Sequence, residues 1–245
     1  MEASTTFQTL SGATEFVTTS VNFKVRLTGK LGKIAFSSLR FSRKSKPAQA
    51  QRRSRTGDVV KRFFDLTLAL VALPLVALPM LVIALAVKLT SKGPSLYWSD
   101  RVGRNNRIFR MPKFRSMRTD TPEVATHLLN NSGAYLTSIG PLLRKTSLDE
   151  LPQIYSILKG DLSFVGPRPA LHNQNDLVAL RTERGVHEII PGLTGWAQVN
   201  GRDDLPISVK VEYDCEYLQK RTFLFDMRIL FRTVVQASRG DGVTH

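Results

Sequence analysis

The stretch Leu66 to Val87, LTLALVALPLVALPMLVIALAV, holds 22 residues without one charge. A run of that length is enough to cross the hydrocarbon of a bilayer. It is apolar on all sides, which argues against the one-sided core helix of a soluble domain. Pro74 and Pro79 interrupt it. Each removes a backbone donor and crowds the preceding turn, so the sequence predicts a kink near the middle. Both flanks are basic: Lys61 and Arg62 before, Lys88, Lys92, Arg101 and Arg104 after. The positive-inside rule places both flanks on the cytoplasmic side. A straight span cannot satisfy that, whereas a re-entrant hairpin can. A simple span remains the competing reading.

Outward from this stretch, the chain of 245 residues divides into three parts, read as 1–57, 58–92 and 93–245. Residues 1–57 hold eleven Lys and Arg against Glu2 and Glu15, which places +9 of the net +15 there. Such a segment reads as a disordered basic arm by composition, suited to anionic headgroups. Its Arg- and Ser-rich, acid-poor composition also fits an organelle transit peptide, the second reading. No apolar core follows the first residues, so it is not a secretory signal. The single cysteine, Cys215, excludes an internal disulfide framework and a cysteine-based zinc site. An overall charge of +15 implies an anionic partner: nucleic acid, a membrane surface or a phosphorylated substrate.

Beyond Lys88 the chain turns polar, with no second long apolar run. Ser95–Trp98 and Ile108–Met111 read as strands joined by a turn at Gly103–Asn106. Leu148–Leu158 reads as a helix stopped by Gly160, and Leu162–Val165 as a strand ended by Gly166-Pro167. Ala170–Arg184 reads as helical and Thr194–Val199 as a strand. Val209–Gln219 and Phe225–Ala237 read as helices. The last groups Ile229, Leu230 and Val234, either to pack a core or to lie in a membrane interface. The fold class is therefore α+β, mixed helices with short strands. A small cytosolic catalytic domain would sit on a kinked re-entrant helix-hairpin, with interfacial amphipathic helices.

Four segments could carry chemistry. In RKTSLDELPQ, Arg144 to Gln153, two acids stand side by side at Asp149 and Glu150. Ser147 and Glu150 fit a capping box, which alone would explain Glu150. Adjacent carboxylates also repel and call for a cation, supplied by Arg144, Lys145 or a divalent metal. An ionised carboxylate held there suits a nucleophile. In Gly166-Pro167-Arg168-Pro169, two prolines fix the backbone around one guanidinium, which suits bidentate phosphate recognition or is simply a rigid turn. Arg101, Arg104, Arg107, Arg110, Lys113, Arg115 and Arg118 form a basic run, divided between lipid phosphate and a site, or a plain solvated face. In PGLTGWAQVNGR, Pro191 to Arg202, the glycines permit close approach and Trp196 could stack on a ring or pack a core. The four histidines are scattered without metal-ligand spacing, and neither a Walker loop nor a dinucleotide-binding glycine pattern occurs.

Taken together, KRFFD (Lys61–Asp65), the proline-broken apolar run, SKGP, KFRSM (Lys113–Met117), RKTSLDELPQ, KGDLSFVGPRP (Lys159–Pro169) and PGLTGWAQVNGR resemble the bacterial sugar transferases. These are the polyprenyl-phosphate hexose-1-phosphate transferases, or monotopic phosphoglycosyl transferases. The resemblance runs from Lys61 to about Gln236 and is to the minimal catalytic form. It implies that Asp149 attacks the β-phosphate of a UDP-sugar, expels UMP and carries the phosphosugar covalently. A polyprenyl (undecaprenyl) phosphate would then accept it. It implies Mg²⁺ at Glu150, and phosphate contacts from Arg144, Arg168, Lys113 and Arg115. The partners implied are the UDP-sugar donor, the polyprenyl phosphate acceptor and anionic lipids, with downstream glycosyltransferases possible and no nucleic acid. The location implied is the cytoplasmic face of a bacterial inner membrane, at the first membrane step of exopolysaccharide, O-antigen or glycoprotein assembly. Family similarity alone leans toward an N-acetylated amino sugar. Many relatives place Ser before the kink proline, where this chain has Leu73 and Leu78. A non-catalytic membrane adaptor on the same fold is the alternative, and a nucleic-acid-binding protein is suggested by charge alone.

Overall fold

The computed structural model describes residues 55–122, 132–201 and 205–239. The chain divides into two units, Met1–Arg43 and Lys44–His245, and every described residue belongs to the second. Apart from residues 55–57, the expected arm over 1–57 lies outside the described residues.

The apolar stretch forms the middle of α1, Arg55–Thr90, and the helix continues through both Pro74 and Pro79. It is long and apolar enough to cross a membrane. Its surface is two-sided in packing although not in composition. Ala69, Ala72, Val76, Met80, Ile83, Ala84 and Val87 recur at one-, three- and four-residue steps and pack on the rest of the protein. Leu70, Leu75, Leu78, Leu81, Val82, Leu85 and Leu89 are exposed. Both ends are tied down. Arg62 donates from Nη1 and Nη2 to the carbonyls of Ile157 and Leu158, at 2.6 and 2.7 Å. Near the other end, Ser95 Oγ donates to the carbonyl of Ala84 at 2.9 Å.

After α1 the chain makes an antiparallel hairpin, β1 (Leu96–Val102) with β2 (Ile108–Phe114), in a register running from Leu96↔Phe114 to Val102↔Ile108. Both strands run three residues or more beyond the expected Ser95–Trp98 and Ile108–Met111. Asn105 and Asn106 turn the hairpin with φ of 54° and 59°, a region asparagine tolerates better than most residues. A short helix that the sequence reading did not anticipate, α2 (Gly140–Lys145), follows. The expected helix over Leu148–Leu158 is two pieces: a 3-10 turn over Leu148–Gln153, which contains Pro152, and α3 (Ile154–Lys159). Gly160, at φ 98°, ends α3 as expected.

A parallel pair completes the frame: β3 (Ser163–Val165) beside β4 (Gly192–Thr194), with α4 (Asn175–Glu183) in the crossover. The expected strand Thr194–Val199 does not form. Pairing stops at Thr194, and residues Gln198–Asn200 make a 3-10 turn. Just past the pair, Gly195 lies against Gly166, and an added Cβ there would stand 2.1 Å from the Gly166 carbonyl oxygen. Two helices close the structure, α5 (Ile207–Lys220) and α6 (Phe223–Arg239). On α6, Ile229 is buried and Leu230 packs beside it, whereas Leu224, Phe231 and Val234 face outward. The two alternatives for this helix thus divide over its two faces. The fold is α+β, mixed helices with short strands.

Candidate active site

Three local structures place the charged residues. The β1–β2 register sets Tyr97 opposite Lys113 and Arg101 opposite Phe109, so Lys113 and Arg101 share one side of the hairpin. Arg144 stands in the last turn of α2. Ser147 then takes a left-handed conformation, φ 55°, and the chain enters the 3-10 turn that carries Asp149 and Glu150.

The capping box does not form. Ser147 makes no side-chain cap, and Glu150 turns instead to Arg168, with Oε1 accepting from Nη2 at 2.5 Å. The adjacent acids therefore have different surroundings. Asp149 is only 6% exposed. Burial, and then the neighbouring charge of Glu150, push its carboxyl up to about 6, against the pull of Lys113, Arg144 and Arg168. For Glu150, burial acts upward too, but the charge and hydrogen bond of Arg168, with Lys113 and Arg101, hold it below the usual glutamate value. Lys113 is brought down to about 8 by burial and by Arg101, against the two acids. The sequence reading has Asp149 held ionised at a helix start; burial and the charge of Glu150 instead push its carboxyl up to about 6, which still leaves it mostly ionised at neutral pH.

The site thus gathers Asp149, Glu150, Lys113, Arg144 and Arg168 as the sequence suggested. Arg115 is directed elsewhere: its Nε donates to the carbonyl of Pro94 at 3.0 Å, beside the loop that follows α1. The rest of the basic run is dispersed. Arg110 lies 5.5 Å over the Trp98 ring, and Arg118 pairs with exposed Asp120 at 2.9 Å. Arg101 is the residue the site adds. It was legible only as one member of that run, since its role depends on the hairpin register. Four cations now face two carboxylates, an excess of two positive charges suited to a diphosphate.

The glycine-rich segment serves the frame. Added Cβ atoms at Gly166 and Gly192 would meet backbone at 2.7 and 2.0 Å, so these glycines let the chain just after β3 lie close against the start of β4. Trp196 packs within the protein: its Nε1 donates to Glu216 at 2.8 Å, its ring lies 5.0 Å from Phe225, and Arg232 covers it at 5.1 Å. The ring-stacking reading of Trp196 gives way to core packing. A cavity of about 440 Å³ opens elsewhere, at the foot of α1 among Lys61, Arg62, Arg104, His187 and Arg221, with none of the acid-pair cluster in its lining.

Among the described residues no group of three or more His, Cys, Asp or Glu could enclose a metal. That excludes an all-protein cage from the described part. Mg²⁺ commonly takes one or two carboxylates and completes its shell with substrate phosphate and water. Glu150, whose Oε1 accepts from Arg168, is the carboxylate the sequence reading offers for it.

Residues 56–240 match the family described as bacterial sugar transferase. The chain belongs to the bacterial sugar transferase family, a class of phosphosugar transferases. It is 40% identical over 187 residues to the uncharacterized sugar transferase EpsL of Bacillus subtilis, covering 76% of this chain and 90% of that protein. It is 38% identical over 192 residues to undecaprenyl-phosphate glucose phosphotransferase of Komagataeibacter xylinus, covering 71% of this chain and 35% of that one. It is 34% identical to UDP-N-acetylgalactosamine-undecaprenyl-phosphate N-acetylgalactosaminephosphotransferase of Aeromonas hydrophila, over 75% of this chain and 44% of that protein. The chain therefore spans about a third to under half of the two longer relatives.

Proposed function

We propose that this protein moves a hexose-1-phosphate from a UDP-sugar to a polyprenyl phosphate at a membrane surface, through a covalent intermediate on Asp149. The observation that carries the reading is the buried carboxylate of Asp149 among Lys113, Arg144 and Arg168, with Glu150 beside it. A carboxyl with a pKa of about 6 is roughly nine-tenths ionised at pH 7, so no base is required for attack.

In the first step an Asp149 carboxylate oxygen forms a bond to the β-phosphorus of the UDP-sugar. The bond to the bridging oxygen breaks, and UMP leaves with that electron pair. Lys113, Arg144 and Arg168 hold the phosphate oxygens and offset the charge that builds on them. In the second step an oxygen of the polyprenyl phosphate attacks the same phosphorus. The acyl–phosphate bond breaks, Asp149 returns as a carboxylate and a polyprenyl diphosphosugar departs. Glu150, with one oxygen on Arg168, and Asp149 would hold Mg²⁺, which when bound supplies charge neutralisation across the diphosphate.

The lipid acceptor explains α1. Its exposed leucines would enter the bilayer, and its packed stripe stays with the catalytic body along both halves of the helix. That attachment at both ends supports the re-entrant reading over a simple span, in the cytoplasmic leaflet of a bacterial inner membrane. The outward face of α6 (Leu224, Phe231 and Val234) would rest in the interface. The named relatives include a glucose and an N-acetylgalactosamine phosphotransferase, so the sugar is left open by kinship. Downstream glycosyltransferases would consume the product.

The direct test is UMP release by protein in nanodiscs with Mg²⁺, undecaprenyl phosphate and a panel of UDP-sugars. UMP formed with one sugar, and lost in Asp149→Asn, is the expected result. Equal UMP release by Asp149→Asn would overturn the assignment.

A further inference from the structure

Arg168 sits between two prolines, and neither Pro167 nor Pro169 has an N–H with which to anchor the loop. The loop is held instead through its carbonyls, four in succession. Gly192 N donates to the carbonyl of Pro167 at 2.9 Å, and Val102 N to that of Ala170 at 2.9 Å. The middle two take guanidinium donors: Arg181 Nη1 to the carbonyl of Arg168 at 2.8 Å, and Arg101 Nη1 to that of Pro169 at 3.2 Å. Arg101 also belongs to the charge cluster. Arg181 reaches the loop from the other side, from α4, and meets the main chain of Arg168.

Arg181 is itself held from behind. Its Nε and Nη2 both donate to Oδ2 of Asp214, at 2.9 and 2.7 Å. Asp214 is fully buried on α5, in the company of Val211, Cys215 and Leu218. An ion pair placed in such surroundings costs desolvation, and a well-packed apolar pair is often as stable. Stability alone therefore does not account for it. What the pair accomplishes is to aim one N–H at the peptide of Arg168.

We infer that Arg181, oriented by Asp214, is a positioning residue that fixes the phosphate-binding Arg168 through its main-chain carbonyl. This rests on the donor reading above, in which Arg168 holds a phosphate oxygen of the nucleotide. The test is a double-mutant cycle read as UDP affinity of the full chain in nanodiscs, without turnover. Arg181→Met should weaken UDP binding ~10-fold in the wild-type background and less than ~2-fold in an Arg168→Ala background, because its effect passes through Arg168. The paired variant Arg181→Met/Asp214→Leu, which removes both members of the buried pair together, should keep the wild-type thermal midpoint and show the same weakened UDP binding. Equal penalties in both backgrounds, or unchanged UDP affinity in the folded pair variant, would overturn the inference while leaving the donor reading intact. Failure of the wild-type protein to bind UDP would remove the donor reading and this inference together.

Discussion

Asp149 and Glu150 are neighbours in sequence and differ in surroundings. Glu150 meets Arg168 directly, whereas Asp149 is buried and held near pH 6. A pH profile follows. Adduct formation needs Asp149 ionised and Lys113 protonated, so its rate should fall below about pH 6 and above about pH 8. Lys113→Arg should move the upper limb out of the accessible range and leave the lower one; a profile flat from pH 5 to 9 would contradict both roles. The same shift bears on stability. A carboxyl whose folded pKa exceeds its unfolded value favours folding in its protonated form. The cost of ionising it therefore grows as pH rises from about 4 to about 6 and persists above. Asp149→Asn should then abolish the adduct yet raise the thermal midpoint at pH 7.5, relieving at most about 3 kcal/mol. A lower midpoint in that variant would mean that the carboxylate stabilises the fold. The acid pair and Arg168 were legible in the sequence because each sits in a local motif. Arg181 and Asp214 were not, because Asp214 is 33 residues from its partner. The available signal was an acid on the apolar stripe of Val211, Cys215 and Leu218.

At the scale of elements, the β1–β2 hairpin was readable from its asparagine turn and alternating pattern. The strand after Thr194 was misread because Val199 and its neighbours look extended, whereas residues Gln198–Asn200 make a 3-10 turn. The close approach of Gly192 to Gly166 gives a prediction. Gly192→Ala would drive a Cβ to 2.0 Å from the backbone nitrogen of Gly166, which cannot swing aside as a side chain can. The β3–β4 pair, and with it the Arg168 loop, should shift. A loss of roughly 2–3 kcal/mol in chemical unfolding, with weaker nucleotide binding, is expected. By contrast Gly185→Ala, where nothing lies within 4 Å but φ is 74°, should cost only about 1 kcal/mol of backbone strain and leave binding unchanged. Equal effects at the two glycines would show that the approach of Gly192 to Gly166 is not under the constraint described.

For the whole molecule, the proposed reaction requires a water-borne nucleotide and a lipid to meet one carboxylate. Composition identified the apolar run, but the periodic stripe from Ala69 to Val87 is hidden in it, because lipid-facing and protein-facing positions are equally apolar. Only packing separates them. Single cysteines at Lys61 and Lys92, with Cys215 replaced, should both label from the cytoplasmic side; labelling from opposite sides would establish a span and discard the re-entrant helix. The central claim, a phosphosugar carried by Asp149, is tested most directly by intact mass. Protein is mixed with the UDP-sugar that supports turnover, in the absence of polyprenyl phosphate, quenched and weighed beside Asp149→Asn. The account predicts a mass gain equal to one phosphosugar that maps to the Asp149 peptide and disappears when the lipid acceptor is added. No gain in wild type under conditions that release UMP on adding acceptor, or a gain that persists in Asp149→Asn, would contradict it.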